Sequence, residues 1–153
     1  MALPEFNGFG DLPPGVHRTS IDQVADRFRV GSDRRVIVTQ KLLHIYDLAK
    51  RTKYLQRFVI FGSYITTKSE PNDVDVILVM AEGFSLDKCP SESLALFDHP
   101  VAQARYGASI FWTRSNTLMS ETVDEFISYW QIKRDGTQRG IVDVAVTEGQ
   151  NDS

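Results

Sequence analysis

The sequence predicts an α/β (α+β) protein with one small mixed sheet flanked by helices. Short apolar runs of strand length alternate with amphipathic segments of helix length, an arrangement typical of this class. The 153 residues suffice for one domain with a buried core, and a content of 42% hydrophobic and 24% charged residues is ordinary for a globular chain. We expect an N-terminal arm at residues 1–19, a single domain at residues 20–147 and a polar tail at residues 148–153.

The beginning of the chain predicts an arm followed by a short helix. Turn-forming residues, including Leu12-Pro13-Pro14-Gly15, are frequent before residue 20, so the arm is expected to lack regular structure. Ser20 with Gln23 three positions later forms a capping-box pattern, which predicts the start of a helix. This helix is expected to end near Gly31.

A longer second helix is predicted from Ser32 to about Lys53. Its apolar stripe consists of Val38, Leu42, Ile45 and Ala49. Its other side is expected to carry Arg34, Arg35, Lys41 and Lys50. The spacing therefore predicts an amphipathic helix that covers one face of the sheet.

Four apolar runs predict strands. They lie at Tyr54–Phe61, Val74–Met80, Ala108–Trp112 and Ile141–Val146. Two further helices are expected between them. The first opens at Pro90 and has Leu94, Phe97 and Val101 facing inward. The second is capped by Ser120 and has its apolar positions at Val123, Phe126, Ile127 and Trp130.

The segment between the first two predicted strands has the residue types of a metal and phosphate site. Gly62-Ser63 follows the first strand, and after nine intervening residues Asp73 and Asp75 begin the second. Residues two apart on a strand point to the same face, so these carboxylates would lie about 6–7 Å apart. Such a pair favours Mg²⁺ or Mn²⁺, and a Gly-Ser turn favours a phosphate. The alternative is a hairpin with a polar loop, although Asp is depleted in strands.

The Gly-Ser, nine residues, Asp-x-Asp arrangement resembles the signature of the DNA polymerase beta-like nucleotidyltransferase superfamily. The resemblance implies a nucleotidyltransferase-like core in which Gly62 and Ser63 contact a triphosphate. It also implies that Asp73 and Asp75 bind the metal, and that a third carboxylate on a later strand completes the site.

A closer resemblance covers residues 9–146. Leu12-Pro13-Pro14-Gly15-Val16-His17, the loop from Gly62 to Lys68 and Arg139-Gly140-Ile141-Val142 look like those of one family. Its members are small, mostly uncharacterised bacterial and phage-associated proteins assigned to the nucleotidyltransferase fold. The arm motif is specific to that family but implies no chemistry.

The chain departs from that family at the third carboxylate. The resemblance places Ser109 where the family has an acid, and a serine hydroxyl is neither a charged ligand nor a useful base at neutral pH. Asp143, between two valines of the last predicted strand, is a possible replacement; the alternative is a solvent-facing position on an edge strand. Two acids can still hold one nucleotide-associated magnesium, but activation of a hydroxyl by a second metal becomes harder.

Several other residues have two interpretations. Lys68 either meets a phosphate or is a solvated loop lysine, and Tyr64 either packs on a base or braces the loop. His17 is a candidate to cover the site. Cys89 lacks a histidine pattern for nucleophilic catalysis. The remaining charged and aromatic candidates are expected at the surface (Arg105, Arg114, Lys133, Arg139) or in the core or covering the sheet (Trp112, Trp130).

Composition limits the partners and the compartment. A net charge of −3 gives no basic field, so long duplex DNA is not expected as a partner. The chain has one cysteine, and this favours a reducing compartment. Neither a membrane-spanning apolar stretch nor a signal-peptide pattern is recognisable, so we expect a cytoplasmic protein without membrane contact.

Two functions are predicted. The first is a nucleotidyltransferase-fold protein that binds a nucleoside triphosphate with magnesium and, if active, transfers a nucleoside monophosphate to a hydroxyl of a protein or small RNA. The second is a non-catalytic interaction module with a degenerate site, such as the antitoxin-like partner of a toxin. This second function is inferred from the resemblance, because members of the superfamily pair with helical toxins in that way.

Overall fold

The computed structural model describes residues 3–118 and 121–146. The strands in these ranges are β1 (Val16–Thr19), β2 (Leu55–Phe61), β3 (Val74–Met80), β4 (Ala108–Arg114) and β5 (Ile141–Val144). The α-helices are α1 (Ile21–Phe28), α2 (Asp33–Arg51), α3 (His99–Tyr106) and α4 (Val123–Ser128). These elements confirm the predicted α/β class. Within the same ranges, no helix combines the length and the apolar character needed to cross a membrane.

The strands form one mixed sheet in the order β1-β5-β2-β3-β4. β2 is antiparallel to both of its neighbours, whereas β1 is parallel to β5 and β4 is parallel to β3. The register sets Phe61 opposite Asp75 and Asp75 opposite Ser109. Neighbouring residues in such a row project from the same face of a sheet, so these three side chains share one face.

The sheet has apolar side chains on both faces, since its central strands are covered on each side. One face packs against α1, α2 and α3 through a large cluster that includes Leu42, Phe58 and Leu78. The other face carries a smaller cluster, in which Ile77 and Ile127 are fully buried. Each such side chain contributes about 1.5–3 kcal/mol on burial. The continuous apolar run of β3 is explained by its burial on both faces.

Helix caps account for the helix boundaries. The Ser20 hydroxyl accepts a hydrogen bond from the Gln23 amide, and the Ser32 hydroxyl accepts one from the Arg35 amide, each at 3.2 Å. Both predicted helix starts are confirmed. α4 is capped by Thr122, whose backbone amide in turn donates to the Glu125 carboxylate at 2.8 Å. The predicted cap Ser120 lies outside the described residues.

The arm differs from the sequence prediction because its end is a strand. Residues 16–19 form β1, which adds to the free edge of β5. Flanking bonds extend the pairing: the Ile141 amide donates to the Gly15 carbonyl at 3.0 Å, and the Ala145 amide donates to the Thr19 carbonyl at 2.8 Å. A strand of four residues with so distant a partner has little local signal.

The region before β4 also differs from its prediction. Phe97 is half-buried, but Leu94 and Val101 are 42% and 36% exposed, so their predicted inward orientation is wrong. The chain forms a 3-10 helix at Ser91–Phe97 and then restarts as α3 behind the Asp98 cap. The tighter winding and the restart break the 3.6-residue period, and this turns other residues inward. Those buried residues are Ser93, Ala95, Leu96 and Ala102.

Candidate functional site

A cleft of about 790 Å³ opens where the C-terminal end of β2 meets the N-terminal ends of β3 and β4. Residues from 130 to 139 also contribute to its lining. The cleft is lined by Phe61, Gly62, Ser63, Lys68, Asp75, Ser109, Phe111, Trp130, Ile132, Lys133, Arg134, Asp135 and Arg139. The structure thus brings together most of the residues that the sequence selects, and adds an aromatic and a basic group.

Gly62 allows the turn after β2 to touch Asp75. Its backbone has φ +84° and ψ −166°, a conformation that residues with a side chain rarely adopt. A Cβ atom at this position would lie 3.0 Å from the Asp75 Cγ and would collide with one carboxylate oxygen. Glycine is therefore required both by the backbone conformation and by the contact with the acid.

The two aspartates influence each other electrostatically. Burial, followed by the negative charge of Asp73, raises the pKa of Asp75 to about 6, against the opposing effects of a hydrogen bond with Ser109 and the charge of Arg139. Burial also raises the pKa of Asp73, while the charge of Lys68 opposes that shift. Both side chains are half-buried, but only Asp75 lines the cleft. At Asp75 the hydrogen bond and the positive charge therefore offset the effects of burial and of the Asp73 charge only in part.

The raised pKa of Asp75 predicts a pH-dependent stability in the absence of metal. Because the folded state binds this proton more tightly than the unfolded state, the free energy of unfolding should fall as pH rises from about 4 to about 6. We expect Asp75→Asn to be more stable than the wild type near pH 7 and to lose this part of the dependence. Chemical denaturation in a chelator at several pH values tests this. An unchanged slope in Asp75→Asn would contradict it.

Ser109, which the resemblance would replace by an acid, lies beside Asp75 on the neighbouring strand. Its hydroxyl accepts a hydrogen bond of 3.4 Å from the Gln103 side chain. Gly107, in the left-handed conformation with φ +61°, ends α3 and turns the chain into β4. The structure therefore places a neutral hydroxyl where a third carboxylate would face Asp75.

Asp143 lies elsewhere. It is fully buried on β5, where it pairs with Arg57 (Oδ2 to Nη2, 2.5 Å) and with Arg18 (Oδ2 to Nη1, 3.3 Å). The solvent-facing edge position considered for Asp143 is wrong, because β1 covers that edge of β5. Strand β2 separates Asp143 from Asp75, and Asp143 does not line the cleft. Across the two described ranges, no group of three or more His, Cys, Asp or Glu side chains could hold a metal ion together.

Arg35 anchors the loop that follows Gly62. It was expected on the exposed side of α2, but only 4% of its surface is accessible. Its guanidinium donates to the carbonyls of Phe28 (3.1 Å), Tyr64 (2.9 Å), Thr66 (2.6 Å) and Lys68 (2.6 Å). Carbonyls in an irregular loop lack strand partners, and one planar guanidinium supplies donors to several of them. Burial lowers the pKa of Arg35.

Tyr64 braces the same loop. It is fully buried, and its hydroxyl and that of Thr39 form a hydrogen bond of 2.6 Å. Its ring packs against Phe28, with 5.5 Å between the centroids. Of the two interpretations for Tyr64, the structure supports the brace. Lys68 remains exposed and faces the cleft.

Three aromatic rings form one wall of the cleft, here called the aromatic ledge (Phe61, Phe111 and Trp130). The centroid of Trp130 lies 4.9 Å from that of Phe61 and 5.3 Å from that of Phe111. Phe111 is 40% exposed although it lies within a strand. The sequence does not reveal the ledge, because its rings come from β2, β4 and the 3-10 helix Tyr129–Gln131.

A second part of the lining comes from the basic hairpin, residues 131–139. An isolated bridge pairs Ile132 with Gln138, and the Asp135-Gly136 turn closes the hairpin. Lys133 and Arg139, which were expected to be scattered surface charges, line the cleft with Arg134. With Lys68, the lining has four cations against the carboxylates of Asp75 and Asp135, so the cleft is locally basic in an acidic chain.

The arm holds the basic hairpin in place. The carboxylate of Asp11, which is buried, lies 3.7 Å from the Lys133 ammonium and 3.6 Å from the Arg139 guanidinium. The Gly15 amide donates to the Gln131 side chain at 2.6 Å. The Gly140 amide donates to the Leu12 carbonyl at 2.9 Å. The segments Leu12–His17 and Arg139–Val142, which the sequence resemblance selected, therefore form one structural unit.

His17 belongs to this unit and does not line the cleft. Its Nε2 lies 2.7 Å from the Pro13 carbonyl, within hydrogen-bond distance. A Cβ atom on Gly140 would lie 2.7 Å from the same ring nitrogen. The histidine thus packs under the strand that follows the hairpin, and its role is structural.

One family of known proteins matches the chain. Neither the curated proteins nor the solved structures gave a match. A family model matches residues 4–145, which include the whole sheet and every residue that lines the cleft. The chain therefore belongs to that family, a family of unknown function (DUF6932).

Proposed function

We propose that this protein has a nucleotidyltransferase fold and binds a nucleoside triphosphate together with Mg²⁺ or Mn²⁺ in the cleft. The observation that carries the proposal is the contact between the Gly62 turn and Asp75 inside a cleft with four cationic side chains. A triphosphate with a divalent ion combines the two charges that such a site attracts.

The phosphates would lie against the turn and the basic side chains. Ser63 follows Gly62 directly and lines the cleft, so its backbone and hydroxyl face the same space as Lys68. Lys133, Arg134 and Arg139 line the same cleft. Cations gathered around one cleft attract phosphate more strongly than scattered surface charges do.

The acid pair fits a divalent ion. Asp75 has a pKa of about 6, raised by burial and by the charge of Asp73, so a cation here would relieve an existing repulsion. Asp73 and Asp75 would hold the ion. When bound, the metal would neutralise phosphate charge and polarise the phosphorus–oxygen bonds.

Transfer of a nucleoside monophosphate to an acceptor, a hydroxyl of a protein or small RNA, requires that this hydroxyl lose its proton. Ser109 cannot accept it at neutral pH, and Asp143 is bound to two arginines. Asp75 is the only carboxylate on the β3 and β4 side of the described cleft. The chain's own residues are therefore better suited to hold the nucleotide than to activate the acceptor.

The lack of a group to activate the acceptor favours a second candidate function, a binding or antitoxin-like module that no longer catalyses transfer. The specific observation is that Ser109, a neutral hydroxyl, lies directly across from Asp75 in the sheet, at the position that the resemblance assigns to a third acid. Incubation with a radiolabelled nucleotide and a cell extract separates the two candidates. Label on a protein or RNA supports transfer, whereas binding without label supports the module.

We also propose a cytoplasmic location. Cys89 is free and buried, and burial, with the charge of Glu92, raises the pKa of its thiol. A chain whose one cysteine is free and forms no disulfide is typical of a reducing compartment.

Isothermal titration with ATP, GTP, CTP and UTP in the presence of Mg²⁺ tests the proposed site. We expect at least one to bind, and we expect Asp73→Asn and Asp75→Asn each to weaken binding by about tenfold or more, equivalent to about 1.4 kcal/mol. The matched control is Asp47→Asn, a half-exposed acid on α2 that pairs with Arg51. No binding, or equal binding by all four proteins, would refute the proposal.

A further inference from the structure

We infer that the aromatic ledge is the nucleobase subsite of the cleft and that it favours purine over pyrimidine nucleotides. The inference rests on the proposed function and adds to it the position of the base and the class of base. It depends on three observations: the exposure of the ledge, its distance from the acid pair and the donors that surround it.

The ledge presents apolar ring surface inside a charged cleft. Phe111 projects from the middle of β4, on the face where Val59, Ile77 and Val79 are fully buried, yet it remains 40% exposed. The ring planes of Phe61 and Phe111 are tilted against that of Trp130 by 50° and 38°. An exposed aromatic surface in a cleft commonly marks a binding site.

The ledge lies at a suitable distance from the phosphate and metal positions. Phe61 and Asp75 are direct cross-strand neighbours, and Phe111 lies one strand away and two residues further along the sheet. Strand spacing and rise put Phe111 about 8 Å from Asp75. A ribose spans this gap, so one nucleotide can contact both ends of the cleft.

The polar groups around the ledge suit stacking better than recognition of a base edge. Asp135, the carboxylate that the hairpin contributes to the lining, already accepts hydrogen bonds from the amide and hydroxyl of Thr137 at 2.9 and 2.6 Å. The other charged side chains of the described lining, apart from Asp75, are Lys and Arg, which only donate. Stacking free energy grows with ring area, so two fused rings should bind more tightly than one.

The chain allows a direct optical test. It has two tryptophans, and Trp112 packs on the opposite face of the sheet against Phe97, with 5.1 Å between centroids. A Trp112→Phe protein therefore reports on Trp130 alone. We expect Mg-ATP to quench its fluorescence more than Mg-UTP does, and magnesium tripolyphosphate to bind without quenching.

The affinity of ring-deletion variants completes the test. Phe111→Leu should weaken Mg-ATP binding by roughly tenfold or more and leave tripolyphosphate binding unchanged. Phe97→Leu removes a ring from the opposite face and should leave both affinities unchanged; thermal melts confirm that each variant folds. Equal Mg-ATP affinity in the wild type and Phe111→Leu, with no quenching of Trp130, would show that the ledge is not the nucleobase subsite and would leave the proposed function intact. Failure of both ATP and tripolyphosphate to bind would refute the nucleobase subsite and the proposed function together.

Discussion

Arg35→Ala should lower the melting temperature by roughly 10 °C, because it removes the donors from three loop carbonyls and from the carbonyl at the end of α1. The expected loss is about 3–5 kcal/mol in the free energy of unfolding, as each unsatisfied carbonyl retains its desolvation cost. The loop from Tyr64 to Lys68 would lose its anchor, so nucleotide affinity should fall as well. Differential scanning calorimetry measures the first effect and titration measures the second.

Arg34→Ala is the matched control for this change. Arg34 precedes Arg35 on the same helix, but it is exposed, and its hydrogen bond to the Asn72 side chain is 3.3 Å long and also exposed. An exposed bond of this kind contributes little to stability. Arg35→Lys keeps the charge but lacks the planar set of donors, so its stability should be intermediate. Equal losses in Arg34→Ala and Arg35→Ala would show that the guanidinium does not anchor the loop.

Gly62→Ala should abolish the proposed nucleotide site and destabilise the chain. The backbone conformation alone costs about 1–3 kcal/mol for a residue with a side chain. The new methyl group would also displace the Asp75 carboxylate, whose Cγ lies 3.0 Å from the Cβ position. We expect the affinity for a nucleotide with Mg²⁺ to fall by more than about tenfold. Titration calorimetry and thermal melts check the two effects.

Gly136→Ala separates backbone strain from displacement of the acid. Gly136 has φ +86°, close to the +84° of Gly62, but a Cβ atom there would meet nothing within 4 Å. This variant should lose stability through strain alone and retain more binding. Adding Asp75→Ala to Gly62→Ala should recover part of the lost stability, since the collision with the carboxylate disappears. If the double variant is as unstable as the sum of the two single changes, the collision is not the cause.

Local signals explain what could be predicted from the sequence. The caps at Ser20 and Ser32, the stripe of α2 and the apolar run of β3 each depend on residues close together in the chain. Asp75 could be selected because aspartates are depleted in strands, and Gly62 because a Gly-Ser turn after a strand can hold a phosphate. The mixed sheet followed from the alternation of these elements.

Features that depend on distant partners were not predictable. Arg35 looks like a solvated helix residue until the loop carbonyls are placed beside it. Asp143 looks like a metal ligand or an edge residue until Arg57 and β1 are placed beside it. The ledge joins rings from positions 61, 111 and 130, which share no period. In each case the stabilising contact joins residues that are far apart in the chain, so no local sequence pattern indicates it.

The pairing of β1 with β5 has a consequence for synthesis on the ribosome. The partners are 125 residues apart, as the Arg18–Asp143 pair illustrates, so the emerging β1 segment has no strand to join until nearly the whole chain has been translated. Contacts of such long range slow folding, and until β5 emerges the unpaired β1 segment can pair with another nascent chain. Completion of the sheet, and with it the seating of Arg139 at the cleft, is therefore a late step in the maturation of this protein.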